Sequence, residues 1–450
     1  MSHVSGGVCL SRHVTVTSTA TIITTAATII MHEIDTPLMH AVRSGAAAKV
    51  EELLSNGAEA DAPRTDASNV TPLVVACAEG HESVVRLLLK HGASVIRSIL
   101  TGATPLLMAS QQGHKLVVKL LLERGAAVNK AMYNGISPLI IASMQGHESV
   151  VMLLLEHAAT VDQADSDGAT ALSMATESGH KSIVRLLLEY GAGPNRADHG
   201  GWTPLCFASQ EGHEGIARLL LQHGAEVDQV TAEGATSLFL ASQYGHKSIA
   251  RLLLERGASV DAQASNTEVA PMRIACEDGH LEIVQLLSAY GANRTWDDDL
   301  TAENWGGGLT AESAAICFGH DHIAAWLIAT RHCSTPLHYP TVISPDRTRN
   351  LLRDGADVFA ASHAGGPTPL SISLSMLGAG NAADGSAAHL ILRAAQAWCP
   401  ATHELFPAEV RERARCIMRP LMLLAWKHLS PGMAAVDFMQ CVLQFAVLRA

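Results

Sequence analysis

The densest group of metal-ligating side chains runs from Cys317 through His320, His322, His332 and Cys333 to His338. A Cys-x2-His start followed by further sulfur and imidazole donors has the chemistry of a tetrahedral zinc site. However, Gly319-His320 is one copy of a dipeptide that recurs at Gly80-His81, Gly113-His114, Gly146-His147, Gly179-His180, Gly212-His213, Gly245-His246 and Gly279-His280. Packed helices lie about 8–10 Å apart and zinc bonds are about 2 Å long, so histidines one copy apart cannot share an ion. The repeated histidines are therefore expected to be structural, and no metal site is expected. The stretch DQADSDG (162–168) hints at a calcium loop, but Gln163 stands at the first ligand position and Met174 at the last, where carboxylates are required. Asp165 and Asp167 are expected to shape a turn instead. GAGNAADG (378–385) lacks the third glycine of a dinucleotide fingerprint, and no GxxxxGK(S/T), GxSxG, HExxH or kinase signature occurs. No residue set is left to carry catalysis or hold a cofactor, so a non-enzyme is expected.

The elements that must position these residues repeat. A T/S-x-L-x-x-A element starts at Thr36, Thr71, Thr104, Ser137, Thr170, Thr203, Thr236, Ala270 and Thr310, in steps of 35, then 33 five times, then 34 and 40. Self-similarity at such a period marks a solenoid whose units cannot bury their apolar faces alone. In VTPLVVACAEGHESVVRLLLKHGASV, Thr71 can cap a helix and Pro72 fits its first turn. Gly80 should stop that helix, a second helix should run from Glu82 through Leu87, Leu88 and Leu89, and Gly92 should end it. The remaining residues must return to the next unit as a hairpin-like loop.

The pattern resembles the ankyrin-repeat family, whose 33-residue unit opens T-P-L-H-x-A. The resemblance covers residues 33–330 and implies an all-α ankyrin-repeat solenoid of stacked helix-turn-helix units with hairpin-like loops. The family's His after T-P-L is apolar here at Val74, Leu107, Ile140 and Phe239, so packing should replace a polar bond between repeats. We divide the chain into a Thr/Ala-rich leader (1–30), the array (31–330), degenerate repeats (331–395) and a C-terminal helical cap or tail (396–450). Thr335-Pro336-Leu337-His338 and Thr368-Pro369-Leu370 mark the degenerate units, giving about eleven repeats. The tail has helical apolar spacing on both sides of Ser430-Pro431-Gly432.

The leader reads as disordered or β-prone, with Met31 as an alternative start, and no later stretch is apolar enough to span a membrane. A net charge of −12 without a basic stripe argues against nucleic acid. The acidic run at 297–299 reads as a solvated loop. Nine cysteines without a CxxC pair suit a reducing compartment, so the protein is expected in the cytoplasm, with the nucleus also open.

What remains is surface. In ankyrin-like stacks partners bind the concave face lined by first helices and loop tips, which implies one or more protein partners here. No small-molecule substrate is evident. The helix-end positions are Gln111, Gln112, Met144, Gln145, Glu177, Ser178, Gln210, Glu211, Gln243, Tyr244, Glu277 and Asp278. At the loop tips stand Tyr133, Asn134, Asp167, His199 and Trp202, with small counterparts expected in other repeats. Tyr133, Trp202 and Tyr244 read as aromatic anchors, and the Gln-rich, mildly acidic set suits a partner offering hydrogen-bonding groups and basic charge. The leading reading is a protein-binding scaffold. The alternative is a ubiquitin-ligase substrate adaptor whose C-terminal helices dock the ligase, since RARCIMRPLMLLAWKHL (413–429) resembles such a box, although no Leu-Pro-Leu-Pro follows it.

Overall fold

The computed structural model describes residues 36–63, 69–264, 269–294, 310–331, 333, 335–360, 367–378, 383 and 385–395. The expected leader, the acidic run at 297–299 and the tail on which the capping and adaptor readings rest lie outside them. Among the described residues the protein is all-helical, with twenty-one α-helices, one 3-10 turn and a single antiparallel bridge between Ala264 and Val269. The chain forms two units, residues 1–232 and 233–450.

The first unit holds six helix pairs: α1 (Pro37–Arg43) with α2 (Ala47–Ser55), α3 (Pro72–Glu79) with α4 (Glu82–Lys90), α5 (Pro105–Gln111) with α6 (Lys115–Glu123), α7 (Pro138–Met144) with α8 (Glu148–Glu156), α9 (Ala171–Glu177) with α10 (Lys181–Glu189), and α11 (Pro204–Glu211) with α12 (Glu214–Gln222). First helices pack on first helices and second on second. Each first helix starts alike: the hydroxyl of Thr71, Thr104, Ser137, Thr170 or Thr203 accepts the backbone N–H three residues on at 3.2–3.4 Å. That satisfies one of the amides every helix N-terminus leaves unpaired. First helices are buried nearly all round: Pro72 to Cys77 are all shielded from solvent, including the Val74 that stands where the family has His. Second helices bury one stripe, such as Val84, Val85 and Leu88 of α4.

Register is set by the glycine–histidine pair. The Nε2 of His81, His114, His147, His180 and His213 donates to the carbonyl of Arg43, Ala78, Gln111, Met144 and Glu177 in the preceding repeat, at 2.9–3.3 Å. To reach it, each ring passes over the preceding repeat's glycine so closely that a Cβ on Gly45, Gly80, Gly113, Gly146 or Gly179 would lie 2.5–2.9 Å from it. These glycines also have φ of 66–82°, so two independent constraints exclude a side chain there. The loops carry a second tie. Asp61, Asn129, Asp162 and Asn195 accept the backbone N–H of Ser94, Thr160, Gly193 and Glu226 in the next repeat at 2.8–3.1 Å.

The second unit opens the same way, with α13 (Ser237–Gln243), α14 (Lys247–Glu255), α15 (Pro271–Glu277), α16 (Leu281–Ala289), α17 (Ala311–Cys317) and α18 (Asp321–Ala329). His280 and His320 donate to the carbonyls of Gln243 and Glu277, each at 2.9 Å. Ala270, lacking a hydroxyl, leaves α15 without a side-chain cap. After α18 the pattern degrades. Pro336–His338 forms only a 3-10 turn where a first helix is due, followed by α19 (Pro345–Arg353), α20 (Pro369–Gly378) and α21 (Ala387–Ala394). With that helix shortened, Ile316 on α17 is 55% exposed, although Cys276, at the same position of α15, is fully buried. Among the described residues, a Cβ on Gly319 would meet nothing within 4 Å, and no described histidine crosses it. Arg294 holds the degenerate unit instead. Its guanidinium donates to the carbonyl of Thr330 at 3.3 Å and to the Tyr339 hydroxyl at 2.8 Å, and that hydroxyl donates to the Cys333 carbonyl at 3.0 Å.

Two outcomes test this account. Gly113→Ala should destabilise the protein by about 2–4 kcal/mol, combining ~1 kcal/mol for a side chain at positive φ with about 1–3 kcal/mol for overlap with His147. Gly125→Ala, also at positive φ but with open space around the new Cβ, should cost only ~1 kcal/mol. Equal losses in urea unfolding would show that the ring contact contributes nothing. Burial pushes the Cys77 thiol well above its ordinary range and, with Glu312 and Glu277 adding to it, pushes Cys276 up to about 12. Native maleimide labelling should therefore modify exposed Cys317 and spare Cys77, Cys206 and Cys276 until the chain is unfolded. Equally fast native labelling of Cys77 and Cys317 would contradict the buried placement.

Candidate protein-binding surface

Two of the residues first suspected of metal chemistry are employed elsewhere. His320 serves the Glu277 carbonyl, and the His338 ring lies 2.7 Å from the Thr335 hydroxyl and 3.1 Å from the Pro367 carbonyl. Cys317 is exposed, Cys333 is half-buried, and His332 lies outside the described residues. Among the described residues no three His, Cys, Asp or Glu side chains stand where they could hold a metal ion. In the calcium-like stretch, Asp165 turns onto its own loop. Its Oδ1 accepts the backbone N–H of Asp167 at 2.9 Å and of Ala169 at 2.8 Å.

Helix ends form the first surface row. In the first unit Glu79, Gln112, Gln145, Ser178 and Glu211 occupy one position in successive repeats, and all five are exposed. The row one residue earlier behaves differently, because a helix turns about 100° per residue. Gln111, at 8% exposure, is buried, and its carbonyl takes the bond from His147, so its expected role on the surface is corrected. Met144, Glu177 and Gln210 are half-buried; Met144 and Glu177 likewise give carbonyls to the next histidine. The Gln210 amide donates to the Glu211 carboxylate at 2.7 Å.

Loop tips form the second row. Leu100, Tyr133, Ser166, His199 and Ala232 share one position, and successive tips are tied by backbone bonds. Tyr133 donates to Thr101, Ser166 to Asn134, His199 to Asp167 and Ala232 to Gly200, at 2.8–3.1 Å. Asn134 and Asp167 are half-buried beside this ladder. Tyr133 is 81% exposed and His199 is exposed. Trp202 is not a surface anchor: it is 4% exposed, with its ring centroid 5.4 Å from that of Phe207. It precedes the cap Thr203, a position that points inward and holds buried Ala103, Ile136 and Ala169 in other repeats. The expectation of small tip counterparts is also corrected, since Leu100 is 58% exposed. Comparing Leu100 with Tyr133, one period on, would have exposed it in the sequence.

In the second unit, Gln243 and Tyr244 are half-buried and Asp278 is exposed. The Asp278 carboxyl is raised above the ordinary carboxylate range, mainly by desolvation and against the opposing pull of His280. Glu277 is not a free acidic contact, because its carboxylate accepts from the Arg273 guanidinium at 2.8 Å on the same helix and both side chains are largely covered.

Comparison with known proteins agrees with this construction. The family model for ankyrin repeats in three copies matches residues 38–132, 106–198 and 192–264, together about half of the chain. Among solved structures, the crystal structure of the human ASB11 ankyrin repeat domain is similar at 28% identity, covering 50% of this chain and 99% of that one with a TM-score of 0.46. No curated protein matches. With its 33-residue period, its hydroxyl-capped first helices and its Gly-His register bonds falling where the family model matches, the chain belongs to the ankyrin-repeat family.

Proposed function

We propose that this protein is a non-catalytic scaffold that binds partner proteins through the helix ends and loop tips of its first unit. Ankyrin repeats generally mediate contacts between proteins. One observation carries the reading for this chain. The residues that recur in every repeat are consumed in construction, as caps, helix starts, ring-over-glycine contacts and buried stripes. Among the positions that differ from repeat to repeat, those at helix ends and loop tips stand exposed, as Glu79, Gln112, Gln145, Ser178 and Glu211 at helix ends and as Leu100, Tyr133, Ser166 and His199 at loop tips. A fixed backbone that displays varied side chains lets one scaffold recognise a particular partner. Cytoplasmic residence, supported by the scattered cysteines of the sequence, belongs to the same proposal.

The test replaces Gln112, Gln145 or Arg185 in the full chain, one at a time, with a photo-crosslinking phenylalanine analogue. Arg185 is exposed on the second helix α10, away from both rows. Gln112 and Gln145 should capture the same protein in cells and Arg185 should not. Equal capture from all three positions, or capture from none, would sink the reading.

A further inference from the structure

We propose that two consecutive loops of the first unit, residues 91–103 and 124–136, form a docking site for an acidic protein segment that carries an apolar or aromatic anchor. This deepens the scaffold reading and rests on it. The first observation is a broken structural rule. Ile96 stands where Asp61, Asn129, Asp162 and Asn195 each accept a backbone N–H from the next repeat, so that tie is lost at Ile96 alone among these. The side chain put there in exchange is apolar and 70% exposed. A local rule broken without a structural gain is expected at functional positions.

The second observation is what its own loop and the next one display. Leu100 lies in the same loop, and the neighbouring loop tip carries Tyr133, the most exposed of the large apolar side chains among the described residues. The two tips are held rigidly: Tyr133 donates its N–H to the Thr101 carbonyl at 3.1 Å, and its ring packs so close to Gly102 that an added Cβ there would lie 3.3 Å from Cδ1. A pre-ordered aromatic group loses little entropy on binding, which suits it to be an anchor contact.

Charge identifies the partner. The net charge of the chain is −12, yet residues 91–103 and 124–136 contain no Asp or Glu and carry His91, Arg97, Arg124 and Lys130. The loops on either side contain acids, Asp61 before and Asp162, Asp165 and Asp167 after. Arg97 and Lys130 occupy the same position in the two loops, and both are exposed. Arg97 donates to the Asp61 carbonyl at 3.0 Å, and neither cation has a carboxylate within ion-pair distance among the described residues. An acidic segment would complete these charges and place its apolar side chain against Ile96, Leu100 and Tyr133. Single-stranded nucleic acid also pairs with cations and aromatics, but it needs a basic groove with several stacking platforms, and this patch has one ring on an acidic protein.

The experiment selects phage-displayed random peptides on the full chain and measures binding of a labelled synthetic copy of the strongest. The expected peptide combines Asp or Glu with an aromatic or aliphatic residue and weakens with added salt. Tyr133→Ser and Lys130→Glu should each weaken it about tenfold, as loss of one anchor contact does. Ile96→Asp should weaken it too, while leaving thermal stability unchanged or raised, because it restores the missing tie. Peptides lost only with Gln112→Lys or Gln145→Lys would overturn this site and leave the scaffold reading standing. Failure to select any peptide would overturn both. Lys130-dependent binding of labelled oligothymidylate in place of peptide would overturn the proposal in favour of nucleic acid.

Discussion

The regular repeats depend on one close approach, the imidazole of a Gly-His pair lying over the glycine of the repeat before it. That contact needs a left-handed glycine to end the first helix, no Cβ on that glycine and a carbonyl aimed outward from the helix end. One hydrogen bond contributes only about 0.5–1.5 kcal/mol, whereas a fully buried leucine side chain contributes about 1.5–3 kcal/mol. Stability therefore comes from the leucine and valine stripes, and the histidine supplies register. Apolar stripes alone would tolerate a slip of one helix past another, but a ring that fits over a bare glycine and reaches one carbonyl does not. Loop asparagines and aspartates repeat the device on the other side of most repeats, where Asn129 fixes Thr160 and Asn195 fixes Glu226.

This construction was legible in the sequence because it repeats. Thr71, Pro72, Gly80 and Gly92 gave the bounds of two helices, since each has a conformational role that few residues can fill. The surface was less legible because neighbouring residues in one element face different ways. Gln111 and Gln112 look equivalent in the sequence, but the helical turn sends one into the stack and the other to solvent. Trp202 looks like a loop-tip aromatic, yet the hairpin reverses before it and turns its ring onto Phe207. Glu277 looks like a free acid, but Arg273 one turn earlier claims it. These errors concern side-chain direction, which composition does not carry. Comparing equivalent positions down successive repeats would have placed Trp202 with Ala103 and Ile136, and Leu100 with Tyr133.

The degenerate repeat shows which parts of the unit are separable. Its Thr335-Pro336-Leu337-His338 start is the only one here that keeps the family's histidine, and the ring bonds Thr335 and the Pro367 carbonyl. Elsewhere Val74, Leu107, Ile140 and Phe239 fill that position and are buried, so packing and a bonded imidazole are alternative solutions at one site. The first helix after that histidine is reduced to a single turn, and the second helix, Pro345–Arg353, nevertheless forms. It is held from the side by the Arg347 guanidinium, 3.5 Å above the Tyr290 ring. A second helix therefore does not require its own first helix, provided a neighbouring repeat offers a surface.

The same separability explains where surface specificity can arise. A position that fixes register cannot vary without shifting the stack, so recognition must use positions that register leaves alone. Helix ends qualify because their side chains make none of the capping or histidine–carbonyl bonds, and loop tips qualify because successive tips are tied through backbone atoms. Ile96 is the exception, occupying a register position and giving up its tie. Its repeat retains the bonds from His81 to Arg43 and from His114 to Ala78, and Ser94 still donates to Asp61. Redundant ties permit the loss of one, and the released position then carries an exposed apolar side chain next to Arg97 in a loop without acids. The redundancy that makes the stack regular thus also gives the loops room to diverge.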